Sequence, residues 1–277
     1  MAVTAGSQVL WRPLAIALML LAASLQLVSC ASPSGGTALE ASNSDVVTAS
    51  DEPDGRRRAR IRLALAVGYF EQGQTTIALD ELKQALVADP NFGDAYNLRG
   101  LVYMRLNDLG LAESSFRRAL ALKPGDANTL HNLGWLMCQK DRIADAVQFF
   151  GQALASPGYG DRAKTLMTQG LCQMRANRMT EAEASLLRSF ELDAGNPITE
   201  YNLALMLYQR EEWVLAQFYI RRLNNSEWAN SESLWLGIKV ERRLGNRDAM
   251  EQLVIPLRKR FAQSREMGLY ERGAFNE

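Results

Sequence analysis

The sequence predicts an all-α fold, a stacked solenoid of about six helix-turn-helix repeats, and three observations carry that expectation. One pattern returns six times at a period of 33–36 residues. Within each copy, small residues recur at fixed places with bulky ones three or four positions away. Prolines close several copies. A period of this size marks a chain whose units cannot bury their apolar faces alone and must stack.

The second copy shows the frame best. Counting Gly93 as position 1, Tyr96, Gly100, Tyr103, Ala112, Phe116, Ala119 and Pro124 hold positions 4, 8, 11, 20, 24, 27 and 32. The first copy starts at Ala59 and carries Ala66, Tyr69, Ala78, Leu82, Ala85 and Pro90 in register. The third starts at Ala127, with Leu130, Gly134, Ala146, Phe150 and Ala153. The fourth starts at Ala163, with Leu166, Gly170, Ala182 and Leu186, and has Ala194 in place of the closing proline. The fifth starts at Pro197, with Leu203, Ala204, Ala216, Ile220 and Leu223. The sixth starts near Asn230 and keeps Leu236, Gly237, Val240, Ala249 and Leu253. It has Pro256 inside its second helix, where proline should end or kink the helix.

The small residues at positions 8 and 20 let two helices approach, and the bulky ones fill the groove between them. Short segments such as Leu106-Asn107-Asp108-Leu109 read as the turns within pairs. Pro90 and Pro124 stop second helices and start the next pair. These residues resemble tetratricopeptide (TPR) repeats over residues 59–263. The resemblance implies a right-handed superhelix whose first helices line a concave face. Residues 264–277 are expected to form a C-terminal cap or tail.

Ahead of the repeats, Leu14 to Leu27 is an apolar run preceded by Arg12 and followed by Leu27-Val28-Ser29-Cys30. It is shorter than the ~20 residues of a membrane-spanning helix, so residues 1–29 read as a secretory signal. The small residue followed by cysteine resembles the bacterial lipoprotein signal box, which implies lipidation of Cys30. Ala31 stands where an aspartate would resemble an inner-membrane retention mark, so the expected location is the periplasmic face of the outer membrane. The Ser-, Ala- and Thr-rich stretch that follows places a flexible tether at residues 30–58. Arg56-Arg57-Arg58 with Arg60 reads as a solvated first turn facing acidic neighbours, or as a patch for lipid headgroups.

Composition narrows the function. Lys plus Arg number 31 and Asp plus Glu 31; removing residues 1–29 takes away Arg12 alone, leaving 30 against 31. A chain near neutrality has no electrostatic footprint for nucleic acid. With one histidine, His131, no Gly-rich phosphate loop and no CxxC, neither an enzyme nor a cofactor or metal site is expected, nor a small-molecule substrate. Apart from Cys30, the cysteines are Cys138 and Cys172, at nearly the same height on adjacent first helices. A disulfide between them is expected in an oxidising periplasm; the alternative is two small buried hydrophobes.

Positions 2, 5, 9 and 12 of the first helices should point into the groove. They give a candidate partner-binding set of Leu63, Val67 and Phe70, then Asn97, Leu101 and Met104, then His131 and Trp135. The set is more apolar than charged, which suits an amphipathic helix or an extended apolar segment. Leu63, Phe70, Leu101 and Met104 read as the members least needed by the core.

The third and fourth copies resemble one family more narrowly. His131-Asn132-Leu133-Gly134-Trp135-Leu136-Met137-Cys138-Gln139, then Ser156-Pro157-Gly158-Tyr159, then Gly170-Leu171-Cys172 resemble the type IV pilus biogenesis/stability lipoproteins, the PilF/PilW family. That resemblance implies a pilotin: a lipoprotein that binds secretin subunits of the type IV pilus system and promotes their localisation and oligomerisation in the outer membrane. The alternative is another periplasmic TPR adaptor, serving peptidoglycan hydrolases or outer-membrane protein assembly.

Overall fold

The computed structural model describes residues 51–276, which are helical with no strand among them. Twelve helices form six pairs: α1 (Asp54–Glu71) with α2 (Thr75–Ala88), α3 (Gly93–Arg105) with α4 (Leu109–Leu122), α5 (Ala127–Gln139) with α6 (Ile143–Ala155), α7 (Arg162–Arg175) with α8 (Met179–Leu192), α9 (Pro197–Gln209) with α10 (Trp213–Asn224), and α11 (Ser231–Arg243) with α12 (Arg247–Arg260). A short α13 (Arg265–Glu271) follows. Each helix packs on its pair partner, and each second helix packs on the next first helix. None of the described helices is long and apolar enough to cross a membrane.

Local chemistry sets the helix starts. Asp108 and Asp126 each accept a hydrogen bond from the backbone N–H three residues on, at 2.9 Å. Asn196 does the same for Thr199 at 3.1 Å, with Pro197 at the first helical position. Asn230 and Ser233 form a reciprocal capping box. Within every pair, one turn residue enters the left-handed region: Gly73, Asn107, Asp141, Asn177, Glu211 and Gly245, with φ between 55° and 77°. Glycine, asparagine and aspartate tolerate this conformation, whereas Glu211 carries its strain.

The small-residue rule holds in the packing. A Cβ built on Gly134 would meet the Phe150 ring at 2.8 Å, and one on Gly170 would meet Leu186 at 2.7 Å. Gly100 is equally tight against the Phe116 ring. Phe116, Phe150 and Leu186 are wholly buried, so the helices of these three pairs meet at distances only glycine permits. Cys138 and Cys172, both without solvent exposure, are joined by a disulfide between α5 and α7 with Cα atoms 5.8 Å apart. The lengthened 156–161 connection between α6 and α7 is tied in by Tyr159, whose hydroxyl lies 2.8 Å from Thr165 Oγ1.

Two boundaries differ from the sequence expectation. Helix α1 opens at Asp54, so residues 54–58, assigned to the tether, are helical. Arg56 pairs with Asp89, Arg57 with Asp54 and Arg60 with Glu52, which hold this first turn against its acidic neighbours. Helix α12 runs through Pro256 to Arg260 rather than ending there. Proline removes one helical donor, but the carbonyl it strands belongs to the exposed Gln252, while buried Val254 and Leu257 hold the segment to α11. Met267 and Leu269 of α13 join the same cluster and cover its end.

Candidate functional site

The first helices touch along the stack, α1 with α3, α3 with α5 and α5 with α7, and the expected groove residues divide by what these contacts leave open. Leu63, Phe70 and Leu101 pack against the first core cluster, and Leu101, Met104 and Trp135 against the second. The expectation that Leu63, Phe70, Leu101 and Met104 are least needed by the core is therefore corrected: all four are half-buried parts of it. The Arg105 guanidinium lies 3.6 Å over the Phe70 ring and also donates to the Phe70 carbonyl. Asn97 accepts a 3.0 Å hydrogen bond from Asn132 Nδ2, which spends it on the α3–α5 joint. Val67 is exposed.

His131 departs furthest from expectation. It is 7% exposed, its Nδ1 lies 2.9 Å from Thr165 Oγ1, and its ring packs on Phe150 at 5.8 Å. Position 5 of this copy thus faces the next repeat, and the ring belongs to the α5–α7 interface. Burial, with a further push from Lys164, lowers its pKa from 6.5 to about 4. Between those two values the unfolded chain binds the proton and the folded one does not, so stability falls as pH drops through this window. By pH 5 the expected loss from this group is about 2 kcal/mol. Glu113 titrates outside the window: burial raises it, but hydrogen bonds from Lys140 and Arg117 outweigh that and hold it at about 2. Denaturant titration at pH 7 and pH 5 checks this. The His131→Asn variant should lose less than the wild type over that interval, and equal losses would contradict the assignment.

The open apolar surface lies beside the expected set, on the end face of α1. Position 3 is buried in later copies, as Ala95, Thr129, Thr165 and Thr199, and position 7 as Leu133, Leu203 and Leu236. Those side chains are covered by the preceding second helix. No helix precedes α1 among the described residues, and there the equivalent Ile61 and Leu65 are 58% and 44% exposed. The signal was present in the frame: apolar residues at positions that only a preceding helix would cover.

Comparison with known proteins agrees with this architecture. The tetratricopeptide repeat family profile matches residues 63–127. The type IV pilus assembly protein PilF of Pseudomonas aeruginosa is 27% identical over 213 residues, covering 76% of this chain and 84% of PilF. The crystal structure of PilW, described as a widely conserved type IV pilus biogenesis factor, superposes with a TM-score of 0.68 at 28% identity, covering 76% of this chain and 97% of PilW. This chain is homologous to PilF and PilW. The solved Pseudomonas PilF structure agrees, with a TM-score of 0.70 at 26% identity over 79% of this chain and 99% of PilF. Coverage of nearly all of PilF and PilW means that the likeness extends beyond a single repeat pair to the stacked array. Cys30 and the rest of residues 1–50 lie outside the described residues.

Proposed function

We propose that this protein is an outer-membrane lipoprotein, anchored through Cys30, that binds secretin subunits and promotes their localisation and oligomerisation for type IV pilus assembly. The homology to PilF and PilW over about three quarters of the chain is the observation that carries this reading. The lipid supplies the address: several acyl chains at roughly 0.8 kcal/mol per CH₂ make the anchoring effectively permanent. The open α1 face of Ile61 and Leu65 supplies the grip. It offers apolar surface that needs no repacking before a partner's apolar helix or strand covers it.

Deleting the gene and following assembled secretin in outer-membrane fractions, together with twitching motility, tests the reading. Both should fall and return with the wild-type gene, and Cys30→Ala should release the protein from the membrane and restore less. A deletion strain that keeps both would contradict the proposal and leave the chain as a periplasmic adaptor of another kind.

A further inference from the structure

Basic residues that stand between elements of this solenoid are mostly paired with carboxylates: Lys140 and Arg142 with Glu113, Arg210 with Glu183, Arg222 with Glu200, Arg221 with Glu241. At the C-terminal end, Lys239, Arg242 and Arg243 of α11 are held by aromatic faces instead. Lys239 Nζ lies 5.3 Å from the Tyr208 ring centroid and 5.7 Å from that of Trp235. Arg242 sits 3.7 Å over Phe275, and Arg243 sits 5.4 Å over Trp213. A ring face attracts a cation through its quadrupole but takes up none of a guanidinium's in-plane N–H donors, and at more than 5 Å from the ring centroids it leaves the Lys239 ammonium donors free as well. These three cations are therefore positioned with their donors unspent.

Together with Tyr208, Phe275 and Asn276 they line a cavity of about 320 Å³ that no carboxylate of the described residues lines. Lys239 is half-buried, and burial pulls its pKa below the ordinary lysine value. A second cavity of about 160 Å³ shares Lys239 and is walled by Tyr201, Leu205, Trp235, Leu236 and Leu269. Its remaining charges, Glu232 and Glu266 against Arg265 and Lys239, balance in number, so the net positive charge belongs to the first cavity. Trp235 is 5% exposed, yet its indole N–H has no acceptor. Leaving a buried donor unpaired costs about 1–3 kcal/mol.

We propose that these two cavities, which meet at Lys239, bind a carboxylate-bearing peptide segment of a partner protein. The carboxylate lies among Lys239, Arg242 and Arg243, and a neighbouring apolar side chain enters the slot beside Trp235. A phosphate or another small anion would use the cations but leave the second cavity empty. This surface is on the last repeat, remote in sequence from the α1 face, and the inference holds whatever partner α1 grips.

Fluorescence anisotropy on the purified mature protein tests it, using a dye-labelled Gly-Ser-Leu-Asp-Asp peptide with a free C-terminus. Saturable binding is expected. It should weaken at least about tenfold for the amidated Gly-Ser-Leu-Asn-Asn analogue, and by a similar factor for Lys239→Met with Arg242→Gln, as the loss of charge-assisted hydrogen bonds implies. Circular dichroism melts confirm that the variant is folded, and the neutral peptide gives an arm that requires no variant. No binding, equal binding of the neutral peptide, an unaffected folded variant, or displacement by inorganic phosphate at the peptide's own concentration would each overturn the proposal.

Discussion

Gly134→Ala is expected to destabilise the protein by about 1–3 kcal/mol, although alanine in a helix ordinarily gains about 0.5–1 kcal/mol over glycine. The added methyl would lie 2.8 Å from two atoms of the Phe150 ring. That ring cannot slide aside cheaply, because it is wholly buried and His131 packs on it. Gly134→Leu should exceed the alanine loss. Gly151, on α6 of the same pair, supplies the opposite case. It is helical and exposed, and a Cβ there would meet nothing within 4 Å. Gly151→Ala should therefore stabilise by up to about 1 kcal/mol. Chemical denaturation of the two variants side by side checks the pair. Equal signs would show that backbone propensity, rather than the close approach of α5 and α6, decides the position.

The second large effect belongs to the Cys138–Cys172 disulfide. The bridge spans 34 residues of sequence and closes a loop containing α6 and the lengthened connection to α7. Closure entropy for a loop of that size amounts to about 3–4 kcal/mol, or roughly 10 °C in melting temperature for a chain this long. Cys138→Ala with Cys172→Ala should lose about that much, and reductant should lower the wild type while leaving the double variant unchanged. A wild type insensitive to reductant would show that packing alone holds the α5–α7 joint.

How far the sequence reveals the fold depends on the range of the interactions involved. Positions 8, 20 and 24 answer to contacts within one pair, so Gly134, Ala146 and Phe150 announce their roles by spacing alone. His131 answers to Thr165, 34 residues away, and to a connection whose length differs from the other repeats. Nothing local to α5 distinguishes it from a groove residue. Pro256 reads as a helix breaker because propensity is local, whereas its helix is held by Val254 and Leu257 from the far face.

The candidate site was only half legible for the same reason. The groove rule named Val67, on another side of α1, and passed over Ile61 and Leu65, because it treats the first copy as if a repeat preceded it. The cations Lys239, Arg242 and Arg243 look like any solvated helix face in sequence. They become a cluster only when Tyr208, Trp213 and Phe275 arrive from α9, α10 and the segment after α13.

The most direct measurement of the central claim is the affinity of the purified mature protein for a purified secretin subunit, with and without Ile61→Glu plus Leu65→Glu. Both positions are exposed, so the variant should keep the wild-type melt. Saturable binding that weakens at least about 30-fold in the variant, roughly 2 kcal/mol, is the predicted result. Undiminished binding by the folded variant, or no binding by the wild type, would contradict the account.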